Sequence, residues 1–178
     1  RRGPSEMPPV AIITPSEIDL TRVVADQEQI RRYNPQRFEM EQLSAIVHID
    51  TEDHLIVGYK DISEDEFWCR GHIPGFPLMP GVLICEVAAQ LCSYFCQAVR
   101  LVPNGFLGFG GMEDVRFRGQ VRPGHRLVIA GKAVRLHRRQ TIFDTQGFVD
   151  DAMVYHGRII GVPIVAPEGV RGADQTGN

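Results

Sequence analysis

Residues 82–99 read VLICEVAAQLCSYFCQAV, an apolar run whose only charged residue is Glu86. By length alone it is a candidate membrane span. Glu86, Gln90, Ser93 and Gln97, however, recur at intervals of three and four, so a helix here carries one polar stripe. A helix that is greasy on its remaining sides, with a carboxylate inside its run, belongs in the core of a globular domain and not in lipid. Burying an unpaired carboxylate is costly unless it is neutralised. Glu86 therefore reads either as a structural carboxylate paired with a distant arginine or as an acid kept for proton chemistry.

The segment just upstream, GHIPGFPLMPG (71–81), places prolines at 74, 77 and 80 and glycines at 71, 75 and 81. Each proline fixes its φ, which gives a stiff, extended loop, and Pro80-Gly81 falls where the helix should begin. A helix start offers unpaired N–H groups and the positive end of the dipole, suited to a carbonyl oxygen or oxyanion. His72 lies at the head of this loop. The other histidines (48, 54, 125, 137 and 156) read as surface or satisfied core residues. A base, an acid and a carbonyl polariser are what is needed to remove a proton α to a carbonyl and expel a β-hydroxyl.

Outward from this centre, AIVHID and HLIVGYKD, joined by Thr51-Glu52-Asp53, read as a hairpin. After the helix, with Pro103-Asn104-Gly105 as its stop, DVRFRGQVRPG, RLVIAGKAVRLH, TIFDTQGFV and MVYHGRIIGVPI read as successive antiparallel strands, with turns near Pro123-Gly124 and Asp150-Asp151. Residues 1–15 hold four prolines and read as an extended arm. Ser16 and Asp19 can open a short helix running towards Arg32, with Ile18, Val23 and Ile30 as apolar contacts, until Asn34-Pro35 stops it. The tail from Glu168 is polar, glycine-rich and expected to be disordered. The expected class is α+β, an antiparallel sheet wrapped around one long central helix. The expected division is 1–33 as arm and short helix, 34–166 as the domain and 167–178 as tail.

At 178 residues and a net charge of −3, the whole chain offers no sign of nucleic-acid binding. The charge is nevertheless uneven. Acids dominate from Glu39 to Glu66, whereas from Val115 to Phe143 only cations occur: Arg116, Arg118, Arg122, Arg126, Lys132, Arg135, Arg138 and Arg139. These are either solvated strand faces or a docking surface for an acidic or phosphorylated partner. Cys69, Cys85, Cys92 and Cys96 lack CxxC spacing and point neither to zinc nor to a disulfide framework. A reducing, cytoplasmic compartment is expected, with no secretory signal, no metal and no other cofactor.

GHIPGFPLMPGVLICEVAAQ (71–90) resembles the signature of the FabZ-type β-hydroxyacyl-acyl-carrier-protein dehydratases, G-H-F-P-x-x-P-x-M-P-G-V-L-x-x-E-x-x-A-Q, with Ile73 in place of the usual phenylalanine. EDEFWCRGH and MEDVRFRGQVRPGHRL agree more loosely, and the resemblance extends from about Asn34 to Ile164. It implies a hotdog fold and dehydration of a (3R)-3-hydroxyacyl thioester on acyl carrier protein to the trans-2-enoyl thioester, in fatty acid biosynthesis. It further implies His72 as base and Glu86 as acid, meeting from different subunits of a homodimer. The amides of Gly81 and Val82 would hold the thioester carbonyl, and Gln90 would orient Glu86. Trimers of dimers are common among such relatives. Arg116, Arg118 and Arg122 become candidates for docking the acidic carrier protein. The family's P-H-R-Y-P-F is here Asn34-Pro35-Gln36-Arg37-Phe38-Glu39-Met40, with Gln36 replacing the histidine. Glutamate at position 86 favours plain dehydration over additional isomerisation. Competing readings are a hotdog acyl-thioesterase, a coenzyme A hydratase and a non-catalytic acyl-binding module.

Overall fold

The computed structural model describes residues 7–102 and 105–165. Its frame is one antiparallel six-stranded sheet wrapped against one long helix, a hotdog fold as expected. The strands are β1 (Ala45–Asp50), β2 (Leu55–Asp61), β3 (Gly105–Phe117), β4 (Arg126–His137), β5 (Gln140–Val149) and β6 (Ala152–Val165). They lie in the order β1-β2-β4-β5-β6-β3, so β1 and β3 form the edges. Short turns make β1–β2, β4–β5 and β5–β6 hairpins. Asp50 braces the first of these by accepting from the amides of Glu52 and Asp53. The long connection between β2 and β3 carries the proline-rich loop and the central helix α2 (Gly81–Ala98).

Helix α2 lies on the inner face of the sheet. Ile84, Val87, Ala88, Leu91, Cys92 and Phe95 pack there against Ile46, Ile56, Leu127, Ile129, Phe143 and Tyr155. All four cysteines are free thiols, and burial pushes the thiol of Cys96 up to about 12. The helix ends before the expected Pro103-Asn104 stop, whose residues lie outside those described. Arg100 takes a left-handed conformation (φ 54°), the Leu101 amide donates to the Cys96 carbonyl and the Arg100 amide to the Gln97 carbonyl. That is a Schellman closure, made here without glycine.

A second apolar layer covers the opposite face of the sheet. Ile13 of the N-terminal arm packs with Ala45, Val47, Val57, Tyr59, Val128, Ala130 and Phe148, flanked by Ile12, Ile18 and Leu20. Strands β1, β2, β4 and β5 are thus buried on both faces, which is why their sequences alternate poorly. The arm is pinned by polar contacts as well: the Ile12 amide donates to Gln146 Oε1 (2.7 Å), Gln146 Nε2 to the Val10 carbonyl (2.9 Å), and the Ser16 amide to Asp151. An isolated bridge joins Ala25 to Ile46 on β1.

Two expected boundaries change. The helix expected from Ser16 to Arg32 is a 3₁₀ turn (Pro15–Glu17) followed, after a bent segment, by α1 (Gln27–Arg31). The Asp19 carboxylate accepts from Thr21, which makes a turn instead of a cap, and Ala25 is taken up by β1. The capping box falls at Asp26 and Gln29, and of the expected apolar contacts Ile30 is buried while Val23 stays exposed. Strand β3 begins at Gly105, nine residues before the expected Asp114, and pairs along β6 from Val165 to Tyr155. Gly108 and Gly110 sit against Ile164 and Val162, whose side chains fill the space a Cβ would need. The missing side chains explain why that half of the strand shows no alternation.

Candidate functional site

The site is assembled where the proline-rich loop runs into α2. His72 sits in two overlapping turns: the Cys69 amide donates to the Glu66 carbonyl, and the Gly71 and His72 amides to the Trp68 carbonyl. Ile73 next to it is left-handed (φ 60°), an uncommon conformation for a β-branched residue, and Gly75 takes another (φ 79°). The chain thereby doubles back so that His72 Nδ1 lies 2.6 Å from the Leu78 carbonyl oxygen. A carbonyl only accepts, so Nδ1 must carry the proton. The neutral ring then holds its lone pair on Nε2, as a base requires.

Two further contacts fix the far side of the loop. The Met79 amide donates to the Val121 carbonyl, and the Arg122 guanidinium lies 3.7 Å over the ring of Phe76. Pro80 is the N-cap of α2 and contributes no side-chain bond. The Leu83 amide reaches back to the Pro80 carbonyl. The amides of Gly81 and Val82 make no hydrogen bond to any described residue and remain open for a ligand oxygen. Gly81 is dictated by Phe117: a Cβ there would lie 2.7–2.9 Å from that ring. Phe117 is a component of the site that the sequence reading missed, because the contact spans 36 positions.

Glu86 is half-buried on α2 and has no cation partner among the described residues, which removes the distant-arginine reading within one chain. Its Oε1 accepts from Gln90 Nε2 at 2.7 Å. Burial pushes the Glu86 carboxyl above its ordinary range, while the Gln90 bond pulls it back. Gln90, in turn, is tightly held. Its Nε2 also donates to the Met40 carbonyl (2.7 Å), its Oε1 accepts from the Gln42 amide (3.0 Å), and its own carbonyl accepts from Asn34 (2.9 Å). The stretch that departs from the family pattern thus supplies the Gln90 cradle. Within the chain no hydrogen bond joins His72 to Glu86: the histidine bonds the Leu78 carbonyl and the glutamate bonds Gln90.

The three candidate arginines separate. Arg122 sits at the loop beside Phe76, with Nη2 donating to Gln120 (2.7 Å). Arg116 lies near the end of β3 and Arg118 just beyond it. There they line a groove of about 410 Å³ with arm residues Met7, Val10 and Ile12, and Arg118 Nε donates to His156 Nδ1.

A family model described as a FabA-like domain matches residues 34–158. The 3-hydroxyacyl-acyl-carrier-protein dehydratase FabZ of Desulfotalea psychrophila is 32% identical over 151 residues, covering 84% of this chain and 95% of that protein. The enzyme of the same name from Teredinibacter turnerae is 35% identical over 135 residues, covering 74% and 92%. Among solved structures, the dehydratase heterocomplex ApeI:P from Xenorhabdus doucetiae superposes with a TM-score of 0.63 at 18% identity, covering 76% of this chain and 90% of that one. The E. coli PaaI protein of the phenylacetic acid degradation operon gives 0.53 at 14% identity, covering 66% and 80%. These two structural likenesses speak for the fold alone. With a family match across most of the sheet-and-helix unit, and dehydratase relatives almost fully covered, the chain belongs to the FabA-like family, among the FabZ-type 3-hydroxyacyl-acyl-carrier-protein dehydratases.

Proposed function

We propose that this chain dehydrates (3R)-3-hydroxyacyl thioesters carried on acyl carrier protein, yielding the trans-2-enoyl thioester and water in fatty acid biosynthesis. The observation that carries this reading is the His72 tautomer: Nδ1 is committed to the Leu78 carbonyl, which leaves Nε2 as a preset base on the loop that leads into the helix start with its two open amides. In this reaction the thioester carbonyl accepts from the Gly81 and Val82 amides, which stabilise enolate-like charge as it develops. Nε2 takes the α-proton, the C–H electron pair becomes the new C=C bond, and the β C–O bond breaks. The departing hydroxyl takes the proton of Glu86 and leaves as water. His72 is then cationic and Glu86 anionic, and a proton passed from one to the other restores both.

Glu86 would come from a second copy of the chain. Support comes from β3, a thirteen-residue edge strand with Phe109, Met112 and Phe117 exposed along it, the kind of edge that pairs with a like edge. The assembly proposed is a homodimer paired through that edge, alone or as a trimer of such dimers. Arg122, beside the loop, is the best placed of the three arginines to meet the acidic carrier protein, with Arg116 and Arg118 extending the cationic surface. The free thiols favour a reducing, cytoplasmic setting.

Incubation with a 3-hydroxyacyl carrier protein tests the reaction. Conjugated enoyl absorbance is expected, and release of free carrier thiol without it would mean a thioesterase. His72→Ala and Glu86→Ala are each expected to lose dehydration by at least about 100-fold. Mixing the two variants under subunit exchange should restore part of the activity. No recovery despite demonstrated exchange would sink the shared-site arrangement.

A further inference from the structure

Lys60 stands one residue from the end of β2, yet its side chain keeps only 6% of its exposure; its partner Glu66 keeps 11%, and Nζ lies 2.7 Å from Oε1. Burying both ions is a demanding way to hold a loop. Each gives up hydration, and a well-packed apolar pair of similar size often stabilises as much or more. What an ion pair adds over apolar packing is a fixed direction and a fixed length. Lys60 sits on an interior strand of the sheet, in register with Leu127 of β4, so its backbone is a rigid reference.

The rest of the loop shows what that reference is for. Ile62 is tied to the β3–β4 turn: its amide donates to the His125 carbonyl, and its carbonyl accepts from Gly124. At the other end Met79 is tied to Val121. Between those anchors, the Lys60–Glu66 pair is the only polar link, among the described residues, that joins residues 63–72 to the sheet. Trp68 is buried in the core, but its indole Nε1 has no partner, so hydrogen bonding does not set its position. From Glu66 two successive turns lead directly to His72 through the Glu66 and Trp68 carbonyls.

We propose that Lys60 and Glu66 are positioning residues, which set where His72 stands relative to the open amides of Gly81 and Val82. The proposal rests on the assignment of His72 as the base given above. The pair touches no reacting atom and works by fixing the loop turn from which His72 projects. A base displaced by about 1 Å can lose on the order of 100-fold in rate without loss of substrate affinity.

Two variants test it, each read by steady-state kinetics, thermal unfolding and NMR of the His72 imidazole. Lys60→Met/Glu66→Leu replaces the ion pair with an apolar one and is expected to melt at or above the wild-type temperature. Glu66→Asp keeps both charges and draws the carboxylate back by one methylene. In both, kcat is expected to fall about 10- to 100-fold with KM within about twofold, and the His72 ring resonances to shift. Wild-type kcat and unshifted His72 resonances in the folded double variant would overturn the proposal and leave the pair a stability element only. If the double variant does not fold, the same two readouts on Glu66→Asp decide. A wild-type protein that cannot dehydrate the substrate overturns the dehydratase assignment instead, and the His72 resonances then decide the positioning claim without activity.

Discussion

Gln90 shows how much a single side chain contributes here: its three side-chain hydrogen bonds join α2 to the Met40–Gln42 segment and to the acid. Gln90→Leu leaves the Met40 carbonyl and the Gln42 amide without partners, and urea unfolding should show a loss of about 2–4 kcal/mol. The same change bears on pH. Because burial raises the Glu86 carboxyl, its neutral form suits the fold better than its anion. Its contribution to stability is therefore full below the ordinary carboxylate range and is lost as pH rises through the raised folded value. Glu86→Gln should flatten that decline, measurable by unfolding across about pH 4 to 8. Gln90→Leu removes the bond that favours the anion and should move the alkaline limb of the kcat profile to higher pH. The Glu86–Gln90 contact was legible in the sequence because it is a one-turn helical pair, set by local geometry. The Phe117 ring on Gly81, Arg122 over Phe76 and Lys60 with Glu66 were not, since each is created by tertiary closure.

Among the elements, α2 was the most legible, as its sides other than the polar stripe are apolar and its start is marked by proline and glycine. β3 was the least so, because glycines hide its first half. In the proposed two-chain site that strand also carries the heaviest functional demand, since its outer edge would pair with a second copy. Met112→Glu places a charge on the exposed part of that edge. The variant should run as a monomer in light scattering and lose dehydration, while its circular dichroism stays that of the wild type. A monomeric protein with undiminished activity would exclude the two-chain site. Gly81→Ala is a sharper test of the junction between β3 and α2. Phe117 has to move off the helix start, so kcat should fall and stability drop by about 1–3 kcal/mol.

For the molecule as a whole, the unexpected feature is that the sheet has two apolar faces and that the arm serves as the lid of the second. The proline content of the arm was legible, but its docking was not, because Ile12 and Ile13 meet strands far along the chain. Deleting residues 1–24 should uncover Val47, Val57, Phe148 and their neighbours. The truncated protein should bind an apolar dye and lose about 3–6 kcal/mol, by the burial of Ile13 and its flanking residues alone. The arm's place also has a consequence for the order of events during synthesis. Ile12 leaves the ribosome first, yet Gln146, to which it is fastened, follows 134 positions later. The arm's fastening to Gln146 must wait until β5 has been made and laid against β4, so it closes a loop of 134 positions. Until then the outer face of the sheet is bare, and the nascent chain depends on speed, or on a chaperone, to keep that face from meeting another copy.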